Sequence, residues 1–255
     1  MQSLRKLLDW RGIAWWLAVL GVAVTIKHHY SVATAADLDW MMRPLSLLLE
    51  WISGHLFYQD RLHEWVSVSA DVRLVKACAG INFMLMSLLA WAWLFRPDIR
   101  KEIDSPIWIA GRVILLCAVL VAAWSTSLLA NSLRILVAMH LPDNGAEVHR
   151  LNGMMIYVPL LSLQLLLGDR GNWKLALAGP VLLYFLLMAL VPILTGNALR
   201  NPALFIDHLL YLSAMAVLMA GIHFACAARI KKASDIVAEF RDQGLLTKMQ
   251  GPDVW

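Results

Sequence analysis

The sequence has little charge and few cysteines. Only 16% of its 255 residues are charged, whereas about a quarter are charged in a typical globular domain. The three cysteines form no CxxC pair and no even framework, so neither a redox motif nor a disulfide-rich fold is indicated. The words HExxH and GxSxG are absent, which argues against the zinc-protease and serine-hydrolase classes that they mark. Because 60% of the chain is hydrophobic, we expect part of its apolar surface to lie in a lipid bilayer and not in water.

Long apolar runs dominate what is present. A bilayer core is crossed by roughly 20 apolar residues. Six runs approach that length: 13–26, 77–95, 107–130, 152–167, 175–195 and 205–227. We therefore expect an all-α fold, a polytopic transmembrane helical bundle of about six main spans, built as one integral membrane domain over 1–255. The segment 44–58 is apolar but contains Glu50 and His55, which favours an interfacial or re-entrant helix over a seventh crossing.

Lysine and arginine are unevenly distributed between the two sides of such a bundle. With alternating spans, fourteen of these residues lie on the side of the termini and eight on the other. Cytoplasmic loops are enriched in positive residues, so we expect both termini in the cytoplasm, a basic cytoplasmic tail over 228–255 and an uncleaved first span. The positive residues serve to orient helices and form no single face. We therefore expect contact with membrane lipid and none with nucleic acid.

Three reactive side chains fall at the outer ends of spans in this topology. Cys78 begins the second span, Arg134 continues the third beyond its outer boundary, and His149 precedes the fourth. A thiolate is favoured at helix N-termini and near cations, and Arg73 and Lys76 precede Cys78. A histidine can accept and return the thiol proton, and a guanidinium can stabilise an oxyanion. The three groups suit acyl transfer through a thioester.

Each of these residues also has a purely structural interpretation. A cysteine at a helix end is commonly a small buried side chain, an arginine near a membrane boundary can snorkel, and a histidine before a span can cap it. The competing function is a noncatalytic polytopic membrane subunit or a small transporter. A transporter favours paired ionisable residues near mid-membrane and an internal repeat, and neither is evident in the sequence.

The local words around these residues resemble those of a known family. "ACAG" at 77–80, "NSLR" at 131–134 and "HRLNG" at 149–153 resemble, in order, the Cys, Asn-x-x-Arg and His-x-x-x-Gly blocks of the exosortase/archaeosortase family. The resemblance covers a core of about residues 70–170. It implies a membrane-embedded, sortase-like cysteine transpeptidase or protease that acts at the outer face of the bacterial inner membrane without a metal or cofactor.

The resemblance also implies substrates and residue roles. The substrates would be secreted proteins with a C-terminal sorting signal of the PEP-CTERM kind, which combines a short motif, a membrane helix and a basic tail; the acceptor is left open. By position, Cys78 would be the nucleophile, Arg134 the oxyanion or transition-state stabiliser and His149 the general acid/base. Four further residues would support the site: Gly80, Asn82, Asn131 and Gly153.

Helix packing is the competing role for Gly80 and Asn82, since glycine permits close backbone approach and asparagine can bond to a neighbouring helix. Many family members have serine or threonine after the cysteine, whereas this chain has Ala79. The missing hydroxyl leaves the three proposed catalytic groups in place and indicates a subtype with a different sorting signal.

Overall fold

The structure is a computed structural model that describes residues 10–96, 107–140, 145–168 and 173–187, together with isolated positions between 193 and 221. Six helices account for most of the fold, and 82% of the described residues are helical. They are α1 (Trp10–Val32), α2 (Asp39–Ser53), α3 (Ile81–Leu94), α4 (Ile107–His140), α5 (Gly145–Gly168) and α6 (Trp173–Phe185). Short 3-10 turns at Ala36–Leu38 and Lys76–Ala79 precede α2 and α3.

The chain divides into two compact units, Met1–Leu183 and Tyr184–Trp255. Helices α1 to α5 all lie in the first unit, where α3 is the central element and contacts α1, α4 and α5. In the second unit the structure describes Tyr184 to 187 and isolated helical positions. The predicted run 205–227 and the basic tail 228–255 therefore lie largely or wholly outside the described residues. The expected single domain over 1–255 stays a prediction.

Within the described residues, helices occupy the predicted apolar runs 13–26, 77–95, 107–130 and 152–167 and the first part of 175–195. Two helical segments of the described chain are long and apolar enough to cross a membrane, Lys76–Leu94 and Ala110–His140, and Leu151–Leu167 is a shorter apolar helix. In the most apolar 18-residue stretch of each, 61% is buried inside the protein in the first segment and 28% in the second. Apolar side chains such as Ile114, Val121 and Leu129 thus stay exposed along α4, where lipid would cover them. The remaining four crossings stay predictions.

The segment 44–58 overlaps a helix of the expected length that begins and ends five residues earlier than predicted, at Asp39 and Ser53. α2 ends at Gly54, whose φ of +72° stops the helix in the left-handed conformation that glycine favours. One face of α2 is buried, at Met41, Met42, Leu45, Ser46 and Leu49. The opposite face is exposed and includes Trp51. Fifteen residues rise only about 22 Å, less than a bilayer core, so α2 is too short for a seventh crossing.

The all-α prediction is wrong in one segment, because a small antiparallel sheet lies between α2 and α3. Its three strands are β1 (Tyr58–Gln59), β2 (Trp65–Ser67) and β3 (Val72–Leu74), in the order β1-β2-β3. The carboxylate of Asp60 accepts the backbone N–H groups of Leu62 and Glu64 and so fixes the first turn. The sheet matters for the site because β3 ends four residues before Cys78.

Candidate active site

Cys78 lies in the 3-10 turn that connects β3 to α3. Its backbone N–H donates to the carbonyl of Val75 at 2.7 Å, which closes the turn. Leu74, at the end of β3, is fully buried and anchors one side of the turn, while Gly80 begins α3 on the other. The cysteine is only 8% exposed. The thiol therefore occupies a fixed position at the start of the central helix.

Gly80 brings this turn against α4. Its φ is +66°, in the left-handed region where a side chain is strained. A Cβ at this position would also overlap the side-chain amide of Asn131. The carbonyl of Gly80 accepts a hydrogen bond from Ser127 Oγ at 3.2 Å. The glycine predicted from the sequence is thus required here both by backbone conformation and by close packing.

Asn131 is the centre of a buried hydrogen-bond network. Its Nδ2 donates to the carbonyl of Ser127 at 2.8 Å, and its Oδ1 accepts the hydroxyl of Tyr157 at 2.6 Å. The ring of Tyr157 stacks on Phe83 of α3, with centroids 4.5 Å apart. Asn131 and Tyr157 are both buried. The network therefore locks α3, α4 and α5 together just beside Cys78.

Arg134 follows Asn131 by one turn of α4 and lies against the same tyrosine. Its guanidinium carbon is 5.8 Å from the centre of the Tyr157 ring. Gly153 lies beside the stem of the arginine, since a Cβ there would lie 3.6 Å from Arg134 Cδ, an ordinary van der Waals distance. Asn152 Nδ2 donates to the backbone carbonyl of Arg134 at 3.1 Å. Helix α5 thus bonds to the backbone of the arginine through Asn152 and passes its side-chain stem at Gly153.

The guanidinium itself lacks hydrogen-bond partners within the described part of the chain. Arg134 is 9% exposed, and its buried Nε and Nη2 atoms have no acceptor. A buried cation without partners is unfavourable by several kcal/mol, unless an acceptor binds it. A carbonyl oxygen, oxyanion or carboxylate bound in the site would therefore be stabilised most by hydrogen bonds from these two free donors.

His149 lies in the first turns of α5, and its side chain is outside the described residues. It precedes Gly153 by four residues, so the two positions share one face of the helix. A Cβ at Gly153 would lie 3.6 Å from Arg134 Cδ, so this face of α5 is directed toward the arginine. The backbone thus places His149 on the face of α5 that meets the arginine, and its expected role as acid/base stays a prediction.

The C-terminal end of α1 forms a further side of the site, and its residues were not predicted from the sequence. Lys27 Nζ donates to Asn82 Oδ1 at 2.6 Å, so Asn82 contacts a neighbouring helix. Lys76 Nζ donates to the carbonyl of Ala33 at 2.7 Å. Between the two lysines lies Tyr30, with ammonium groups 5.7 Å and 5.0 Å from its ring centre. The sequence feature that could have indicated this contribution of α1 is the polar segment "IKHHY" at the end of the first apolar run.

Tyr30 lies outside the apolar run 13–26 and is electrostatically coupled to the predicted catalytic groups. Burial raises the pKa of its hydroxyl, the negative charge of a Cys78 thiolate raises it further, and the positive charge of Arg134 lowers it. The same side chain therefore experiences both Cys78 and Arg134. This coupling supports the closeness of the two groups that the Gly80–Asn131 contact establishes through the backbone.

Arg73 does not contribute to this site as expected. Its Nη1 donates to Asp60 at 3.1 Å and to Glu64 at 2.9 Å, in an exposed ion-pair cluster on the sheet. The charge is compensated there, so Lys76 is the preceding cation that lies near Cys78. Within the described residues no group of three or more His, Cys, Asp or Glu side chains could hold a metal ion.

Comparison with models of known protein families, with curated proteins and with solved structures found no match.

Proposed function

We propose that this protein is an exosortase-like cysteine transpeptidase or protease. Its site faces the outside of a bacterial inner membrane, with both termini in the cytoplasm. The observation that carries the proposal is that Nε and Nη2 of Arg134, near the turn of Cys78, have no hydrogen-bond partner among the described residues. The contact of Gly80 with Asn131 links the nucleophile turn to the helix turn before the arginine. A buried thiol and a buried donor pair with free capacity are what acyl transfer requires.

The proposed chemistry begins at the carbonyl of a substrate peptide bond. The Cys78 sulfur forms a bond to the carbonyl carbon, and the carbonyl electron pair moves to oxygen, where Nε and Nη2 of Arg134 donate hydrogen bonds to the oxyanion. His149 accepts the thiol proton and returns it to the leaving amine as the C–N bond breaks, which leaves a thioester. Water or an acceptor amine then attacks the thioester and releases Cys78. Hydrolysis and transpeptidation differ only in this last nucleophile.

The proposed substrates are secreted proteins that end in a motif, a membrane helix and a basic tail. A substrate helix lying in the bilayer beside the bundle would present the adjoining peptide at the membrane boundary, the level at which Cys78 begins an apolar helix. The basic tail would keep the substrate in the same orientation as the enzyme. Anchoring the substrate in the membrane thereby reduces the entropy cost of bringing the peptide to the thiol.

Replacing Cys78 tests the proposal directly. Cys78→Ala should insert and fold normally but abolish processing of a co-expressed secreted reporter, which then accumulates with its C-terminal helix attached. Cys78→Ser should also be severely impaired, since a hydroxyl is much less acidic than a thiol. Cys117→Ala is the matched control, because Cys117 is an exposed cysteine on α4. Full processing by Cys78→Ala would leave the noncatalytic subunit or transporter as the better interpretation.

A further inference from the structure

Two lysines from distant parts of the chain meet beside Cys78. Lys27 belongs to α1 and Lys76 to the turn that contains Cys78, yet both ammonium groups lie over the ring of Tyr30. Two like charges attracted to one ring repel each other, and a cation–π contact at a partly exposed site is only weakly favourable. The arrangement therefore concentrates positive charge at this edge of the site.

The hydrogen bonds of these lysines go to neutral acceptors. Lys27 donates to the amide oxygen of Asn82. Lys76 donates to the carbonyls of Ser31 and Ala33. Among the described residues the ion pairs formed are those of Arg73 with two carboxylates of the sheet, and neither lysine takes part in one.

An acidic side chain on the same side of the molecule is already engaged. The carboxylate of Asp37 accepts hydrogen bonds from the backbone N–H and the hydroxyl of Thr34 at 2.8 Å and 2.7 Å. Those hydrogen bonds are the main reason why the pKa of Asp37 is lowered, and the charges of His29 and Lys76 lower it by smaller amounts. Asp37 is therefore held in the loop before α2 and does not close an ion pair with either lysine.

The charge of Lys27 is also poorly solvated. Burial lowers the pKa of its ammonium group, and no carboxylate offsets that effect. An ammonium that is partly withdrawn from water and lacks a counter-charge gains when an anion binds. The charge of Arg134 also acts on Tyr30, so three cations, from α1, α4 and the turn that contains Cys78, lie around this tyrosine.

We infer that Lys27 and Lys76 form a carboxylate-binding subsite beside Cys78, which takes an acidic side chain of the peptide substrate close to the bond that is cleaved. This inference rests on the proposed function. A peptide is favoured over a lipid headgroup, because Lys27 is bonded to Asn82 at the start of the central helix and Lys76 is two residues from the nucleophile. Tyr30, between the lysines, provides a flat apolar surface for the adjoining part of the peptide.

Charge-selective modification of Cys78 tests the subsite without requiring any processing. In a Cys117→Ala/Cys226→Ala background, Cys78 is the remaining thiol. We expect it to react faster with a negatively charged methanethiosulfonate reagent than with a positively charged one. Lys27→Gln/Lys76→Gln keeps side-chain hydrogen-bond donors but removes both charges, and should lower that rate ratio by about three- to tenfold at moderate salt. Lys27→Arg/Lys76→Arg should retain the ratio. An unchanged ratio in the glutamine variant would overturn the inference.

Peptide protection identifies the occupant. A short acetylated peptide with one glutamate should slow the modification of Cys78, its glutamine counterpart should not, and the difference should vanish in the Lys27→Gln/Lys76→Gln variant. Equal protection by both peptides would exclude a carboxylate subsite. If bilayers of phosphatidylglycerol abolish the rate ratio that bilayers of phosphatidylcholine preserve, and the peptides give no protection, the subsite binds lipid phosphate and the peptide inference fails.

These results are separable from the proposed function. If Cys78→Ala leaves processing intact while the rate ratio and the peptide protection behave as expected, the lysines bind carboxylates but the cysteine is not the nucleophile. If Cys78→Ala abolishes processing while the rate ratio ignores the lysines, the proposed function stands and the subsite is overturned.

Discussion

Two buried polar clusters join the helices of the first unit, and they differ in how completely their hydrogen bonds are satisfied. Ser87 and Gln164 form a closed pair: the Ser87 hydroxyl donates to the glutamine oxygen at 3.1 Å, and the glutamine amide donates to the Ser87 carbonyl at 3.0 Å. The cluster around Asn131 is equally buried but ends in Arg134, which keeps two donors free among the described residues. Both clusters connect to α5.

This difference separates packing from binding. A reciprocal amide pair inside an apolar bundle stabilises the contact between helices and has little capacity left for a ligand. An arginine with fixed stem and free donors is stabilised fully only when another molecule supplies the acceptors. Gln164 and Arg134 are both buried polar residues on helices. The satisfied bonds of Gln164 indicate a packing role, whereas the free donors of Arg134 leave capacity for a ligand.

The largest effect is expected from adding a side chain at Gly80, where the turn that contains Cys78 packs against Asn131. Gly80→Ala introduces strain at φ +66° and an overlap with Asn131, so we expect the free energy of unfolding to fall by about 3–5 kcal/mol and processing to be lost. Thermal unfolding in detergent measures the stability change. The matched control is Gly54→Ala, at φ +72° with open space around it, which should cost only about 1–2 kcal/mol. Equal losses in the two variants would show that Asn131 does not pack tightly on Gly80.

The next effect concerns the free donors of Arg134. Arg134→Lys keeps the positive charge but replaces the planar fork by one flexible ammonium. Loss of an oriented oxyanion donor costs roughly 3–4 kcal/mol in the transition state, so processing should slow by about a hundred- to a thousandfold. Stability should change little, because the site it leaves is already unsatisfied.

Reporter processing per folded molecule measures this effect. Arg43→Lys is the control, since Arg43 is exposed on α2. If Arg134→Lys processes the reporter at a rate close to the unmodified protein, the arginine is an anchor and the catalytic set reduces to Cys78 and His149.

The helices over the described apolar runs could be predicted from the sequence, because each depends on local information, whereas the roles of Cys78, Arg134 and His149 stay predictions. An apolar run of bilayer length predicts a helix wherever its neighbours lie, and the words around Cys78, Arg134 and His149 are short. The sheet was not accessible, since strands of two or three residues are too short to show alternation. Its position is fixed by the Asp60 turn and by the ion pairs of Arg73.

The missed site residues depend on tertiary contacts. Asn82 was predicted, but its partner Lys27 was not, because the two are 55 positions apart in the chain and meet only where α1 packs on α3. Tyr157 lies within an apolar run, where an aromatic residue normally indicates packing alone. Its hydroxyl becomes important only through Asn131, 26 positions earlier. No local pattern predicts that pairing, so the supporting network had to come from the structure.

The smallest effect compares the two clusters by removing one polar group from each. Tyr157→Phe deletes the hydroxyl that donates to Asn131 Oδ1 and keeps the ring that stacks on Phe83. Gln164→Leu removes the partner of Ser87. Each change leaves a buried group without its bond, so each should lower the free energy of unfolding by about 1–3 kcal/mol.

Their effects on processing should nevertheless differ. Without the tyrosine hydroxyl, Asn131 can rotate and the turn that follows it no longer holds Arg134 in one position, so processing per folded molecule should fall about tenfold, equivalent to about 1.4 kcal/mol in the barrier. Gln164→Leu should process the reporter normally once the amount of folded protein is matched, because the closed pair only packs helices. The pair of measurements is thermal unfolding in detergent and the initial rate of reporter cleavage. Equal rates for the two variants would mean that the open cluster supports the fold in the same way as the closed one, and that Arg134 is positioned by Gly153 and Asn152 alone.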